Sequence, residues 1–320
     1  LPEVVTPNNS RFLTEVFQRD REVTLTTRNW ISDSDGFWDV ASNWEGGVLP
    51  SISDDVVIDR PTVEITTTHR TGNTTINSLT SEEAFVLSGG SLEIVTSLDI
   101  NNTFTWTGGT LKGTGLTNEG TLNISGSSYG DNKYLAGVLT NTGTIVHNAG
   151  TGSYGAVSFQ NGTVDNQGGA IYELQSGEIE SDSGTNTFNN GGTVRKTTSS
   201  TGIIDVTLNN SGIVEVEQGT LALSGGSNGG SYTIAEDGTL NFSGGTHTFG
   251  VGTSLSNLGN VEISSGEMRV ETGASFSSPG TVTISDYGDL NAQTEVILFQ
   301  SNWTGGTLKG TGLTNEGTLN

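Results

Sequence analysis

Carboxylates are the only ionisable side chains numerous enough to support chemistry in this chain of 320 residues, which carries 35 Asp and Glu, 12 Lys and Arg, three His and no Cys. Two sets stand at a spacing of two, Glu178, Glu180 and Asp182, and Glu215 and Glu217. In an extended strand that spacing puts each set on one outward face. Carboxyl groups so gathered could act as acid and base on a glycosidic bond, if neighbouring segments added a Ca²⁺ ion or a cationic base. No cation stands near either set in sequence, and Arg195-Lys196 is an isolated basic pair. Both sets therefore read first as solvated surface, and the chain is expected to be non-catalytic.

A metal reading rests on Asp33, Asp35 and Asp39, three carboxylates within one turn, with Asp54 and Asp55 close behind. Such oxygen donors suit Ca²⁺, the one cofactor the sequence suggests. They make neither an EF-hand, for want of its glycine and terminal glutamate, nor the glycine-rich nonapeptide Ca²⁺ repeat, and an Asx turn without an ion is the plainer reading. His69, His147 and His247 are too far apart for a metal motif and are expected to be structural. The absence of Cys excludes thiolate catalysis and disulfides. A net charge of −23 with a pI near 4.2 opposes binding to phosphate backbones, so no nucleic-acid partner is expected. No apolar run reaches the roughly 18 residues of a membrane helix, so no membrane insertion is expected within this segment. Leu1 in place of Met suggests processing or a boundary, and the chain is expected to continue past residue 320.

The elements that would position these residues are strands. Hydrophobic residues are 31 % of the chain and glycines number 47, which suits a thin core with many corners better than a broad one. Trp106 to Asn123 recurs unchanged as Trp303 to Asn320, a long duplication. Beneath it runs a shorter pattern, an apolar residue, then Asn, then Gly at alternate positions, as at Leu116-Asn118-Gly120, Leu139-Asn141-Gly143 and Leu255-Asn257-Gly259. The unit is about 20–26 residues, and period-two strands such as Leu122-Ile124 and Val261-Ile263 follow each Gly. Three short strands per unit without a helix between them describe an all-β parallel β-helix, each coil stacked about 4.8 Å from the next. Asn118, Asn141, Asn166, Asn190, Asn210, Asn257 and Asn315 should then form a structural ladder. Thr121, Thr144, Thr193, Thr239, Thr281 and Thr318 should form one column. An ice-binding face would need two such columns, so that is a minor reading.

The chain divides into residues 1–28, an N-terminal arm or capping segment; 29–83, a Trp-rich cap with the first strands; and 84–320, the β-helix repeats. In the first segment Arg11, Arg19, Arg21 and Arg28 accompany Phe12, Leu13, Val16 and Phe17 at helical spacing. In the second, Trp30, Trp38 and Trp44 are expected to plug the open first coil, with a sugar-stacking platform as the alternative.

The segments Leu116-Thr117-Asn118-Glu119-Gly120-Thr121-Leu122 and Leu139-Thr140-Asn141-Thr142-Gly143-Thr144-Ile145 resemble the right-handed β-helix of filamentous haemagglutinin-like adhesins and autotransporter passengers. Trp30, Gly36, Trp38, Asn43-Trp44, Pro50 and Asp54-Asp55-Val56-Val57-Ile58 resemble the segment that precedes β-helical repeats in large bacterial surface proteins. The resemblance implies a right-handed coil and an extracellular or cell-surface location. It also implies a structural or adhesive role as stalk, filament subunit or adhesin. Partners would be copies of itself in fibres or arrays, or surface glycans and other components of a host or neighbouring cell. A polysaccharide-binding or polysaccharide-cleaving β-helix is the alternative.

Overall fold

The computed structural model describes residues 24–320, so the arm expected at the N-terminus lies outside the described residues apart from its last few. The described chain is a β-solenoid of about 13 turns. Its strand ladders are parallel, and the one antiparallel contact among the described residues is the bridge between Trp30 and Trp44. Three short 3₁₀ turns, Ala41–Asn43, Glu45–Gly47 and Gly152–Tyr154, interrupt the strands.

Each coil visits three sheets in turn. The first sheet begins with Thr26–Asn29 against Asp54–Ile58, the second with Gly36–Phe37 against Thr66–His69, and the third with the start of Asn73–Ser81 against the start of Ser91–Ile100. Alternation dictates which side chains point in. In Ala84–Leu87 the buried residues are Phe85 and Leu87, and the same two-residue beat runs through every coil. On the first sheet Leu79, Leu98, Leu116, Leu139, Val164, Phe188 and Leu208 lie one above the next, a continuous apolar column.

Stacking starts at Thr26, well before residue 84, so the Trp-rich segment already supplies coils. Coil length also varies more than the motif suggested, from 17 residues between Ile297 and Thr314 to 31 between Gly36 and Thr67. The extra residues sit in corners, because strand length is fixed by the width of the core. Tight corners need glycine: Gly137, at φ +119, lies over Gly113, and a Cβ there would stand 2.0 Å from the Gly113 carbonyl oxygen.

The two identical 18-residue segments fall on different sheets. Trp106 ends a strand of the second sheet, and Leu116–Asn118 lie on the first; Trp303 ends a strand of the third, and Leu313–Asn315 lie on the second. Their local geometry is nevertheless the same. The Trp106 indole donates to the Gly109 carbonyl at 3.3 Å and the Trp303 indole to that of Gly306 at 3.4 Å; Asn118 reaches the Gly120 carbonyl at 3.3 Å and Asn315 that of Gly317 at 3.2 Å.

Core packing of this kind sets a mutational contrast. Phe188→Ala, which empties a position stacked between Val164 and Leu208, should cost about 3–5 kcal/mol in urea unfolding. Val251→Ser, at an exposed corner, should change it by less than about 0.5 kcal/mol.

Candidate functional site

The three tryptophans form a packed stack in the first coil. Trp30 and Trp44 meet edge to face at 5.0 Å, Trp38 and Trp44 at 4.7 Å, and Trp38 continues onto Phe85 at 6.0 Å. All three are at most 2 % exposed, so none offers a ring face to a sugar. Trp44 donates its indole N–H to the Trp38 carbonyl at 2.8 Å and Trp30 to that of Ser32 at 3.0 Å, which satisfies two of the three polar edges inside the apolar end.

The five aspartates proposed for Ca²⁺ do not gather; each is engaged by its own donors. Asp33 pairs with Arg60, and Asp39 takes the Arg70 guanidinium through both oxygens at 3.0 and 3.1 Å. Asp35 accepts the Thr66 amide at 2.7 Å, and Asp55 accepts Asn77 and Ser78, both at 2.6 Å. Burial acts to raise the pKa of Asp54, but Thr26, Ser51 and Arg28 outweigh it and hold the carboxyl below its ordinary value. Among the described residues no three His, Asp or Glu side chains stand together as metal ligands would. These carboxylates fasten the irregular first coil to the next ones.

The asparagine ladder divides. Asn118, Asn141, Asn166, Asn190 and Asn210 stack on the first sheet, each Nδ2 donating to the next Oδ1 at 2.7–2.8 Å. The second N–H of each of the first four donates to a main-chain carbonyl beyond the corner, that of Thr144, Ile171, Thr193 or Ile213. Asn228 occupies the next position in this column, unmarked in sequence because its flanking residues depart from the motif. Asn257 and Asn315 belong instead to the second sheet. Asn257 repeats the two-bond pattern there, donating to Ser278 and to the Thr281 carbonyl at 2.9 Å. The threonines divide likewise: Thr121, Thr144 and Thr193 are on the second sheet, Thr239, Thr281 and Thr318 on the third, so they form no single column.

Arg195 is not isolated. It sits between Glu173 and Glu215 of the adjacent coils and pairs with Glu215 at 2.8 Å and Glu217 at 3.3 Å. Lys196, its neighbour, points inward and donates to main-chain carbonyls of Thr198 and Gln218. Glu178, Glu180 and Asp182 follow the third sheet. Glu178 is half-buried and accepts the Gly152 amide at 2.9 Å; Glu180 accepts Ser158 at 2.5 Å, and Asp182 accepts Gln160 at 2.8 Å. Burial, reinforced by the charges of Glu180 and Asp205, raises the Glu178 pKa, the direction a general acid requires. No Lys, Arg or His forms an ion pair with these carboxylates among the described residues.

All three histidines are buried and apart. His69 bonds the Gly89 carbonyl and Thr74, and burial lowers its pKa. His147 shares a 2.8 Å hydrogen bond with Tyr172 and is pushed down to about 3 by burial and then by Lys133; His247 is lowered to about 4 by burial. Sequence reading missed an outward ladder on the first sheet, in which Asn189 donates to Asp165 at 2.6 Å, Asn209 to Asn189 at 2.9 Å and Ser227 to Asn209 at 3.0 Å. The doublets Asn189-Asn190 and Asn209-Asn210 were its signal, since adjacent strand residues face opposite ways. No family of known proteins, no curated protein and no solved structure matches the chain.

Two measurements check these assignments. Asn166→Asp keeps the acceptor but loses both donated bonds, and should cost at least about 2 kcal/mol at pH 7, partly recovered once the carboxyl is protonated. Asn189→Ala, on the outer ladder, should cost under about 1 kcal/mol. The buried histidines are neutral in the folded protein, whereas in the unfolded chain they take a proton near pH 6.5. Protons therefore favour the unfolded state, and the urea midpoint should fall as pH drops from 7 to 5. The fall should be shallower in His247→Phe, whose new ring would lie beside Phe242.

Proposed function

We propose that this chain is a structural and adhesive β-solenoid of a bacterial cell-surface protein or extracellular fibre, a stalk, filament subunit or adhesin without catalytic activity. The observation that carries the reading is the parallel ladder running from Thr26 to Leu319, in which even the polar core is bonded from coil to coil. Such a body resists bending and extension, and its length follows from the number of coils. About 13 turns at about 4.8 Å give a rod on the order of 60 Å. The charge of −23 would keep parallel rods apart, and divalent cations would bridge them.

One observation favours a second reading, cleavage of polysaccharide: the raised pKa of Glu178 beside Glu180 and Asp205. The two readings part experimentally. Electron microscopy of the native material should show ordered fibres or a surface layer, thinned or lost on chelation if cations bridge the rods. A screen on neutral and acidic polysaccharides should show no turnover. Turnover abolished by Glu178→Gln would replace the structural reading with the catalytic one.

A further inference from the structure

The corner between the second and third sheets is short near the start of the solenoid, residues 70–72 and 88–90, but swells in two successive coils to residues 127–132 and 150–156. These two loops are tied to each other and to the body. Gly130 donates its amide to the Ser153 carbonyl at 3.0 Å, and Gly150 donates to that of Gly126 at 3.0 Å. The Ser128 amide donates to Asp131 at 2.8 Å, and the Gly152 amide to Glu178 at 2.9 Å. Beneath them lies Lys133, fully buried, whose Nζ donates to the Asp131 carbonyl at 2.8 Å and the Gly155 carbonyl at 3.1 Å, one from each loop. Burial lowers its pKa to about 8. Withdrawing an ammonium from water is unfavourable, and here it rigidifies two surface loops.

What the loops hold up is an aromatic pair. Tyr129 is 80 % and Tyr154 59 % exposed, and their rings meet edge to face with centroids 5.9 Å apart. Neither ring enters the core, which is filled without them. Two large rings set side by side on a bonded backbone scaffold suit a ligand, because the loops that carry them have little backbone freedom left to lose on binding. Their faces present apolar carbon flanked by phenolic hydroxyls, a match for the C–H face and hydroxyl rim of a pyranose ring. Asp131 and Glu178, the carboxylates that receive loop amides, can accept hydrogen bonds from sugar hydroxyls and would repel an anionic polymer.

We infer that Tyr129 and Tyr154 form a binding platform for an uncharged glycan. The platform rests on the adhesive part of the proposed function and supplies its contact. Carboxylates that here receive loop amides act as hydrogen-bond acceptors at its edge, and no chemical step is required of them.

The purified chain would be passed over immobilised cellulose, starch, xylan, mannan and chitin, with alginate and polygalacturonate as anionic comparators. Retention on at least one uncharged polysaccharide is expected, weakened about tenfold or more by Tyr129→Ala and by Tyr154→Ala and kept by the Phe variants. Saturation-transfer NMR with an oligosaccharide of the retained polymer should show contacts to tyrosine ring protons. Because both side chains are exposed, the Ala variants should melt at the wild-type temperature and form the same fibres, so loss of glycan binding and failure of the rod reading are distinguishable. No retention on any uncharged polymer, retention unchanged in the double Ala variant, or preference for the anionic polymers would each overturn the assignment.

Discussion

In a parallel ladder every residue stands about 4.8 Å from its counterpart one coil away, so an inward side chain must pack on the one at the same position in the next coil, and like residues do this most simply. Aliphatic residues meet that condition without difficulty, as in the column from Leu79 to Leu208. Among polar residues asparagine is favoured, since its carboxamide carries both a donor and an acceptor and a stack leaves only the terminal amides short. The column containing Ile58 and Ile100 becomes Asn118 to Asn228 and then returns to Phe249 and Val270. Lysine and histidine cannot bond their own kind in this way. They occur singly inside, turned toward carbonyls of a nearby corner or, for His147, toward the buried Tyr172 hydroxyl of the next coil.

The same condition orders the outer surface. Like charges stacked at that spacing repel, so acids and cations alternate along a column, as in Glu173, Arg195 and Glu215 or Glu93 and Lys112, and Lys309 pairs from the side with the stacked acids Glu267 and Asp289. With far more acids than bases the alternation cannot be completed, and the third-sheet acids Glu178, Glu180 and Asp205 are left as neighbours. Strand faces are thus committed to cohesion between coils. Corners are free of the stacking rule, and they are where the chain departs most from its own regularity, in the loops carrying Tyr129 and Tyr154.

Much of this was legible in sequence because one short motif encodes both a strand end and a corner. The period, the absence of helix, the apolar alternation and the first five rungs of the amide ladder follow from it directly. The assignment of residues to columns does not. Between Asn210 and Asn257 the chain advances 47 residues, yet two coils there take only 39, from Asn210 through Asn228 to Phe249. The excess is the length of one face, and the motif has moved to the next corner, which removes Asn257 and Asn315 from the ladder and divides the threonines. Cross-coil partners such as Arg195 and Glu215 were hidden for the same reason: their distance in sequence equals one coil, a length that varies. The tyrosine pair carries no motif at all, since two loops of adjacent coils bring it together.

The identical segments from Trp106 and from Trp303 separate what is local from what is global in this fold. Both copies make the same indole and carboxamide bonds to their own glycine corners, so eighteen residues suffice to fix these local contacts. They do not fix the sheet, because three faces of similar width accept the same strand equally well. The sheet is set by the running length of chain since the previous corner. An insertion confined to one corner leaves all later residues on their faces, whereas an insertion the length of a strand and its corner moves every later residue one face round the axis. Corners can therefore accumulate loops without disturbing the rod, while the placement of any surface feature around it depends on the whole chain that precedes it.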